Sequence, residues 1–316
     1  MVVHRYSCQF VPADIEAALG RRYIIGSEIA IGGQGAVFKA TRTSRPDGTA
    51  AEDIVALKLY FDRRRNIRVP PEITAAGHFS HPNLARLVEH GICEVAGRYT
   101  RYGAWEFIDG QPLGVLLRNG RLLESEVLAI GRDVSSAIAE IWSRRIVHGD
   151  IKPSNIMLRN SDGYFMIGAV DNAVLIDLGA ARLDQGHIRS LRPLDPSDRR
   201  SRRPLGTLGY FSPEQIRGAT LSCASDVFSL GVVMLQCLLG RHPTNYDQAE
   251  LADGIRAGRS GIAARATLLS ALDRMLSPVP EVRPNPATLS HDFQGLRQTM
   301  QAEFAKGART SMKAED

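Results

Sequence analysis

The chain has 316 residues, 44% of them hydrophobic, which is enough apolar material for a substantial core divided between two lobes or small domains. Its 39 lysines and arginines against 34 acids leave +5, too mild an excess to mark a nucleic-acid binder, and seven arginines against three aspartates between Arg182 and Arg203 place most of it in one segment. The dispersed Cys8, Cys93, Cys223 and Cys237 form neither a CxxC pair nor a zinc pattern, the N-terminus lacks a signal-peptide core, and the longest apolar run, Leu230 to Leu239, is too short for a bilayer, so a cytoplasmic chain with no membrane partner is expected.

In chain order, residues 1–21 read as an N-terminal extension. Tyr23 to Ala40 alternates like two strands joined at Ile31-Gly32-Gly33-Gln34-Gly35, and Asp53 to Tyr60 supplies a third after a polar loop. A short helix around Pro71 to Phe79 follows, then strands near Leu84 to Cys93 and Tyr99 to Phe107, which makes residues 22–108 mostly β. Beyond the expected hinge, Glu106 to Gly110, apolar residues recur at helical spacing in Leu122 to Ser143, Asp226 to Leu239 and Ala264 to Met275, so residues 109–300 are mainly α. Residues 301–316 read as a polar tail, poorly ordered from about Ala305.

Short stretches within this plan carry chemistry. His148-Gly149-Asp150-Ile151-Lys152-Pro153-Ser154-Asn155 puts an acid, an amine and an amide on one loop: Asp150 can accept a hydroxyl proton, Lys152 can steady a moving phosphoryl group, and Asn155 can hold Mg²⁺. Asp177-Leu178-Gly179 follows with a second metal carboxylate. The turn Gly32-Gly33-Gln34-Gly35, followed by Val37, suits a backbone that must approach phosphates without Cβ atoms in the way, although a plain hairpin turn accounts for it taken alone. Lys58, in the apolar strand Val55-Ala56-Leu57-Lys58, needs an acidic partner because an unpaired ammonium is costly to bury.

The order VALK, HGD, DLG, SPE resembles the protein-kinase signature set, and over roughly residues 22 to 297 the chain resembles a eukaryotic-like serine/threonine protein kinase. The resemblance implies a bilobal α+β fold with a small, mostly β N-lobe and a larger, mostly α C-lobe. It also implies ATP and Mg²⁺ as cofactors and transfer of the γ-phosphoryl to Ser/Thr hydroxyls of proteins, autophosphorylation included. A pseudokinase scaffold and a small-molecule kinase are the alternatives. The retained Lys58, Glu72, Asp150, Asn155 and Asp177 argue against the first, and the segment from Gly206 to Glu214, GTLGYFSPE, argues against the second.

By the same resemblance Glu72 pairs with Lys58, which binds the α- and β-phosphates, though a purely structural ion pair is the other reading. Gly32, Gly33 and Gly35 cover the phosphates, and Val37 and Ala56 close over the adenine with Met157 beneath, each equally at home as ordinary core. Glu106 and Ile108 offer a backbone carbonyl and amide to the adenine edge, with Trp105 as a bulky gatekeeper if the strand register holds. Asp150 is the acceptor of the hydroxyl proton, Lys152 offsets charge on the γ-phosphoryl, and Asn155 and Asp177 hold the metal; His148 is structural. Thr207 lines the acceptor site, Glu214 pairs with Arg283, and Asp226 braces the catalytic loop or caps its own helix.

Three departures stand out. Ala30 replaces the first glycine of the phosphate loop. Gly149 replaces the arginine of HRD, so an activity independent of phosphorylation in the Arg182 to Arg203 stretch is expected; that stretch suits an acidic partner or is simply solvated. The long linker from Asn155 to Asp177 predicts an extended hairpin, with residues 160–172 a docking element or a neutral surface insertion.

Overall fold

The computed structural model describes residues 10–32, 35–45, 48–61, 69–77, 79–160, 172–178, 181–183, 208–243 and 262–312. The chain divides into two compact units: residues 1–80 with 85–107, and residues 81–84 with 108–316. The first is β-rich and the second helical, which is the α+β, two-lobed class expected.

The first unit is built on one antiparallel sheet, order β1-β2-β3-β5-β4, from β1 (Tyr23–Ile31), β2 (Gly35–Ser44), β3 (Ala50–Tyr60), β4 (Leu87–Val95) and β5 (Arg98–Glu106). Alternation splits β2 and β3 into two faces. Phe38, Ala40, Val55, Leu57 and Leu59 join Tyr102 and Ala104 of β5 in a buried core. Val37, Lys39, Ala56 and Lys58 share the opposite face, because Val37 pairs with Lys58 and Lys39 with Ala56. A short helix α2 (Pro71–Ala76) carries Glu72.

Residues ahead of the first strand belong to this core. Helix α1 (Pro12–Ala18) and the turn after it bury Ile15 and Leu19 among the sheet's inner side chains. The Glu16 carboxylate accepts the Ile25 N–H at 2.7 Å, just where β1 loses regular register with β2. Seven helical residues with two apolar anchors give too short a period to be read as core-forming from sequence. Beside this helix Arg22 Nη1 lies 2.9 Å from Glu89, Arg22 Nη2 donates to the Tyr102 hydroxyl at 2.8 Å, and Arg42 bridges Glu89 to Asp53.

In the second unit β6 (Gly110–Pro112) leads through α3 (Leu113–Leu116) into α4 (Glu124–Ser143), which buries Val127, Leu128, Ile130, Val134, Ile138 and Ile141. Strand β7 (Ile146–Val147) precedes the Asp150 loop and pairs with β10 (Arg182–Leu183). The expected hairpin is present as β8 (Ile156–Arg159) and β9 (Ala173–Leu175), antiparallel, with β6 against the other edge of β8; residues 161–171 of its connection lie outside the described set. Then come α5 (Pro213–Ile216), α6 (Cys223–Leu239), α7 (Ile262–Met275) and α8 (Pro286–Met312). Helix α6 starts at a Ser222 cap that accepts the Ala224 N–H and stops at Gly240, whose φ of 71° is left-handed. The cap is Ser222, so Asp226, four residues in, serves another purpose.

The backbone of α8 stays helical through Met312, well past residue 301, where a polar tail was expected. Gln301, Ala302, Glu303, Ala305 and Lys306 are strong helix formers, which favours helix across this polar stretch and carries it past Gly307.

Because Ile15 is fully buried, Ile15→Ala should lower unfolding free energy by about 2–5 kcal/mol in urea titrations of the full chain. A change below about 1 kcal/mol would mean that α1 is an appendage and no part of the core.

Candidate active site

In the first unit the ammonium of Lys58 lies 2.9 Å from the Glu72 carboxylate, which is 1% exposed, and 5.2 Å from the centre of the Tyr60 ring. The partner that the apolar strand required is therefore supplied by α2. Trp105 of β5 stands across from Ala56 on β3 and Leu87 on β4, and Glu106 closes β5 with its N–H bonded to the Arg86 carbonyl at 2.8 Å. The glycine-rich turn is closed by the Gly32 N–H on the Gly35 carbonyl at 2.9 Å. Gly35 has a packing reason to be glycine, since a Cβ there would sit 2.1 Å from the Leu59 carbonyl oxygen. Gly33 lies outside the described residues.

In the second unit the Asp150 loop is held by buried groups. Asp226, 1% exposed, accepts the N–H groups of His148 and Gly149, both at 2.8 Å. Burial pushes its carboxyl above the usual range even though His148 and the two amides pull the other way. His148 is a strut, as the sequence implied. Its Nδ1 accepts the Asp150 N–H at 3.3 Å, which places the proton on Nε2, 3.2 Å from the Ile176 carbonyl. Gly149 sits at φ 76°, a conformation that costs other residues about 1–2 kcal/mol. The glycine therefore meets a backbone demand, beyond removing a charge.

The chemical groups then fall within reach of one another. Lys152 Nζ lies 2.7 Å from Asp150 Oδ2, and Asn155 Nδ2 donates to the Asp150 carbonyl at 2.9 Å and to its carboxylate at 3.2 Å. With its N–H groups turned to Asp150, Asn155 can offer a cation its hard oxygen Oδ1. The Ile176 N–H bonds the Asn155 carbonyl at 2.9 Å, so Asp177, exposed and left-handed at φ 62°, follows directly from a residue tied to Asn155. An amide oxygen and a carboxylate on adjoining segments fit a small divalent cation that completes its shell with phosphate and water. Met157 on β8 is half-buried opposite Val174, and Ile108 is buried.

Two residues that the sequence did not single out aim Asp177. Asn83 Nδ2 donates to the Ala173 carbonyl at 2.9 Å and the Asn83 carbonyl takes the Leu175 N–H at 2.8 Å, while Asp133 of α4 accepts the Ala173 N–H at 3.0 Å. Both side chains are buried. A charged residue inside the apolar run of α4 was the available signal for Asp133.

Further along, Arg283 grips Glu214 through Nη1 and Nη2 at 2.6 and 2.9 Å, donates to the Ala224 carbonyl, and lies over the Phe228 ring. Burial alone would raise the Glu214 carboxyl, but hydrogen bonds from Arg283, the backbone and Ser225 outweigh it and hold the group at about 2. Thr207, and the arginine-rich stretch beyond Leu183, lie outside the described residues.

Among the described residues no helix is long and apolar enough to cross a membrane. The family model "Protein kinase domain" matches residues 23–303. The chain is 30% identical over 236 residues to a serine/threonine-protein kinase, pkn3, of Myxococcus xanthus, covering 72% of this chain and 39% of the relative. It is 28% identical to the serine/threonine-protein kinase PknD of Mycobacterium tuberculosis over 78% of this chain and 32% of that one. It is also 30% identical to a putative L-type lectin-domain containing receptor kinase, V.1, of Arabidopsis thaliana, over 90% and 44% respectively. The chain thus spans less than half the length of these relatives.

The Glu214 carboxyl, depressed from 4.5 to about 2 in the folded state, contributes stability that is complete above the unfolded value and is lost as pH falls through the folded one. Stability should therefore decline from about pH 5 towards pH 2 with a component of order 3 kcal/mol. Urea titrations across that range should show this component missing in Glu214→Gln; equal slopes in both proteins would assign the acid sensitivity elsewhere.

Proposed function

The chain belongs to the protein kinase domain family, and from that premise we propose that it is an ATP-dependent serine/threonine protein kinase that transfers the γ-phosphoryl group to Ser/Thr hydroxyls of protein substrates, itself included. The observation that carries the reading is the Asp150 carboxylate held by Lys152 and Asn155 on a loop whose backbone is fixed by Asp226. Asp150 orients the acceptor hydroxyl and takes its proton, and Lys152 offsets charge on the moving phosphoryl. Lys58, paired with Glu72, contacts the α- and β-phosphates. Gly32, Gly33 and Gly35 cover them, while Val37, Ala56 and Met157 enclose the adenine and the backbone of Glu106 and Ile108 meets its edge. Asn155 and Asp177 would hold Mg²⁺, which when bound neutralises phosphate charge. The Lys58–Glu72 pair and the Asp150 arrangement favour an enzyme over a nucleotide-binding scaffold. The Glu214–Arg283 tie behind the Ser212-Pro213-Glu214 turn supports a protein acceptor over a small metabolite. A cytoplasmic setting, and an acidic partner for the arginine-rich stretch, complete the reading on composition and charge.

Asp150→Ala and Lys58→Met should each lower phosphoryl transfer by about 10² to 10⁴ while the protein remains folded, and Lys58→Met should also raise the KM for ATP. Radiolabel transfer from ATP to protein, set against transfer to small metabolites, checks both the activity and its acceptor class. Near parental autophosphorylation in either variant would refute the assignment.

With glycine at position 149 in place of a charge to be neutralised, the Ser190, Ser197 and Ser201 triple alanine variant should keep its kcat/KM within about tenfold of the dephosphorylated parent. A larger fall would show that phosphorylation of this stretch governs activity.

A further inference from the structure

Helix α5 and the loop that carries Asp150 come from distant parts of the chain, and one side chain joins them. Gln215, half-buried in the first turn of α5, uses both ends of its amide. Its Oε1 accepts the Ser212 N–H at 2.9 Å and the Ser212 hydroxyl at 3.1 Å, and its Nε2 donates to the Gly149 carbonyl at 3.0 Å. These partners fix the amide's orientation. Turned over, it would set oxygen against the Gly149 carbonyl and N–H against the Ser212 N–H.

The carbonyl that Gln215 holds belongs to the Gly149–Asp150 peptide, whose N–H is taken by His148 Nδ1 at 3.3 Å. That peptide plane is therefore held at both ends, and its rotation would swing the Asp150 side chain. Gly149, at φ 76°, has no side chain with which to reach a neighbouring segment, so contact with α5 runs through its backbone. The far end of the connection is firm, because Glu214, next to Gln215, is locked to Arg283.

We propose that Gln215 is a positioning residue for phosphoryl transfer: its neutral hydrogen bond to the Gly149 carbonyl registers Asp150 to α5. The inference rests on the kinase reading above. A misplacement of about 1 Å in such a group can cost on the order of 10²-fold in rate, so loss of one bond is measurable.

Gln215→Glu keeps an oxygen for Ser212 and removes the N–H that faces Gly149, Gln215→Met is a neutral replacement of similar size to be read if the first variant fails to fold, and Ser212→Ala removes the cap hydroxyl while leaving the N–H to Gly149. In the full chain, kcat of the Gln215 variant should fall more than about fivefold with KM for ATP within about twofold. Amide exchange at Asp150 should quicken, and Ser212→Ala should keep parental kcat. A smaller fall in kcat, or an equal fall in Ser212→Ala, overturns the proposal. Asp150→Ala, assayed in parallel, separates the two failures. If Asp150 is required and Gln215 is not, only the positioning role falls; if transfer persists without Asp150, the kinase reading falls, and the exchange rate at Asp150 then decides whether the tie exists.

Discussion

A buried carboxylate that takes two backbone amides, Asp226 on those of His148 and Gly149, is the constraint on which the second unit's chemistry depends. A carboxylate out of water is unstable unless hydrogen bonds replace its solvation, and buried amides are equally costly when unmet. Each group satisfies the other, so the loop has one good conformation where a surface loop would have many. The same constraint explains the glycine, since the peptide that reaches Asp226 Oδ1 places residue 149 at positive φ. From there His148 extends the fixed region to Ile176, and hence to the residue before Asp177.

The two units solve the problem of placing charge in different ways. In the first, Lys58 and Glu72 neutralise each other across a strand and a short helix, and that pairing keeps an ammonium in a half-buried position. In the second, Asp150 keeps part of its surface in water and takes Lys152 and Asn155 as neighbours, while a buried ion pair, Glu214–Arg283, stands at the structural end of α5. Enclosure suits a tie that must not move. Partial exposure suits a group that must exchange a proton and release a product.

The residues proposed to carry the chemistry were legible because they cluster: Asp150, Lys152 and Asn155 lie within six positions, Gly35, Val37, Ala56 and Lys58 ride on alternating strands whose period shows directly, and Gly32 stands in the turn between two of them. Of the residues that hold them in place, Asn83, Asp133 and Gln215 were not. Asn83 reaches Ala173 across 90 positions, Asp133 across 40, and Gln215 reaches Gly149 across 66. No local pattern encodes such distances, and Asn or Gln next to a turn reads first as turn or cap chemistry. Gln215 does close a cap with one end of its amide, which hides what the other end does. Helix α1 escaped for a related reason: Ile15 and Leu19 mean little until the sheet they cover exists.

Asp177 shows why that unseen scaffold matters. A non-glycine residue at φ 62° carries strain of order 1 kcal/mol, eased because aspartate tolerates this region better than most side chains. An exposed residue in such a state relaxes unless its neighbours forbid it. Here Ala173 is bonded at both its N–H and its carbonyl, Leu175 at its N–H, and Ile176 again at both, by Asp133, Asn83, Asn155 and His148. Those bonds, each worth about 0.5–1.5 kcal/mol net, together exceed the strain. The Asp177 carboxylate can therefore project from the end of a rigid strand, and of the residues that decide its position only Asn155 belongs to the proposed cation site.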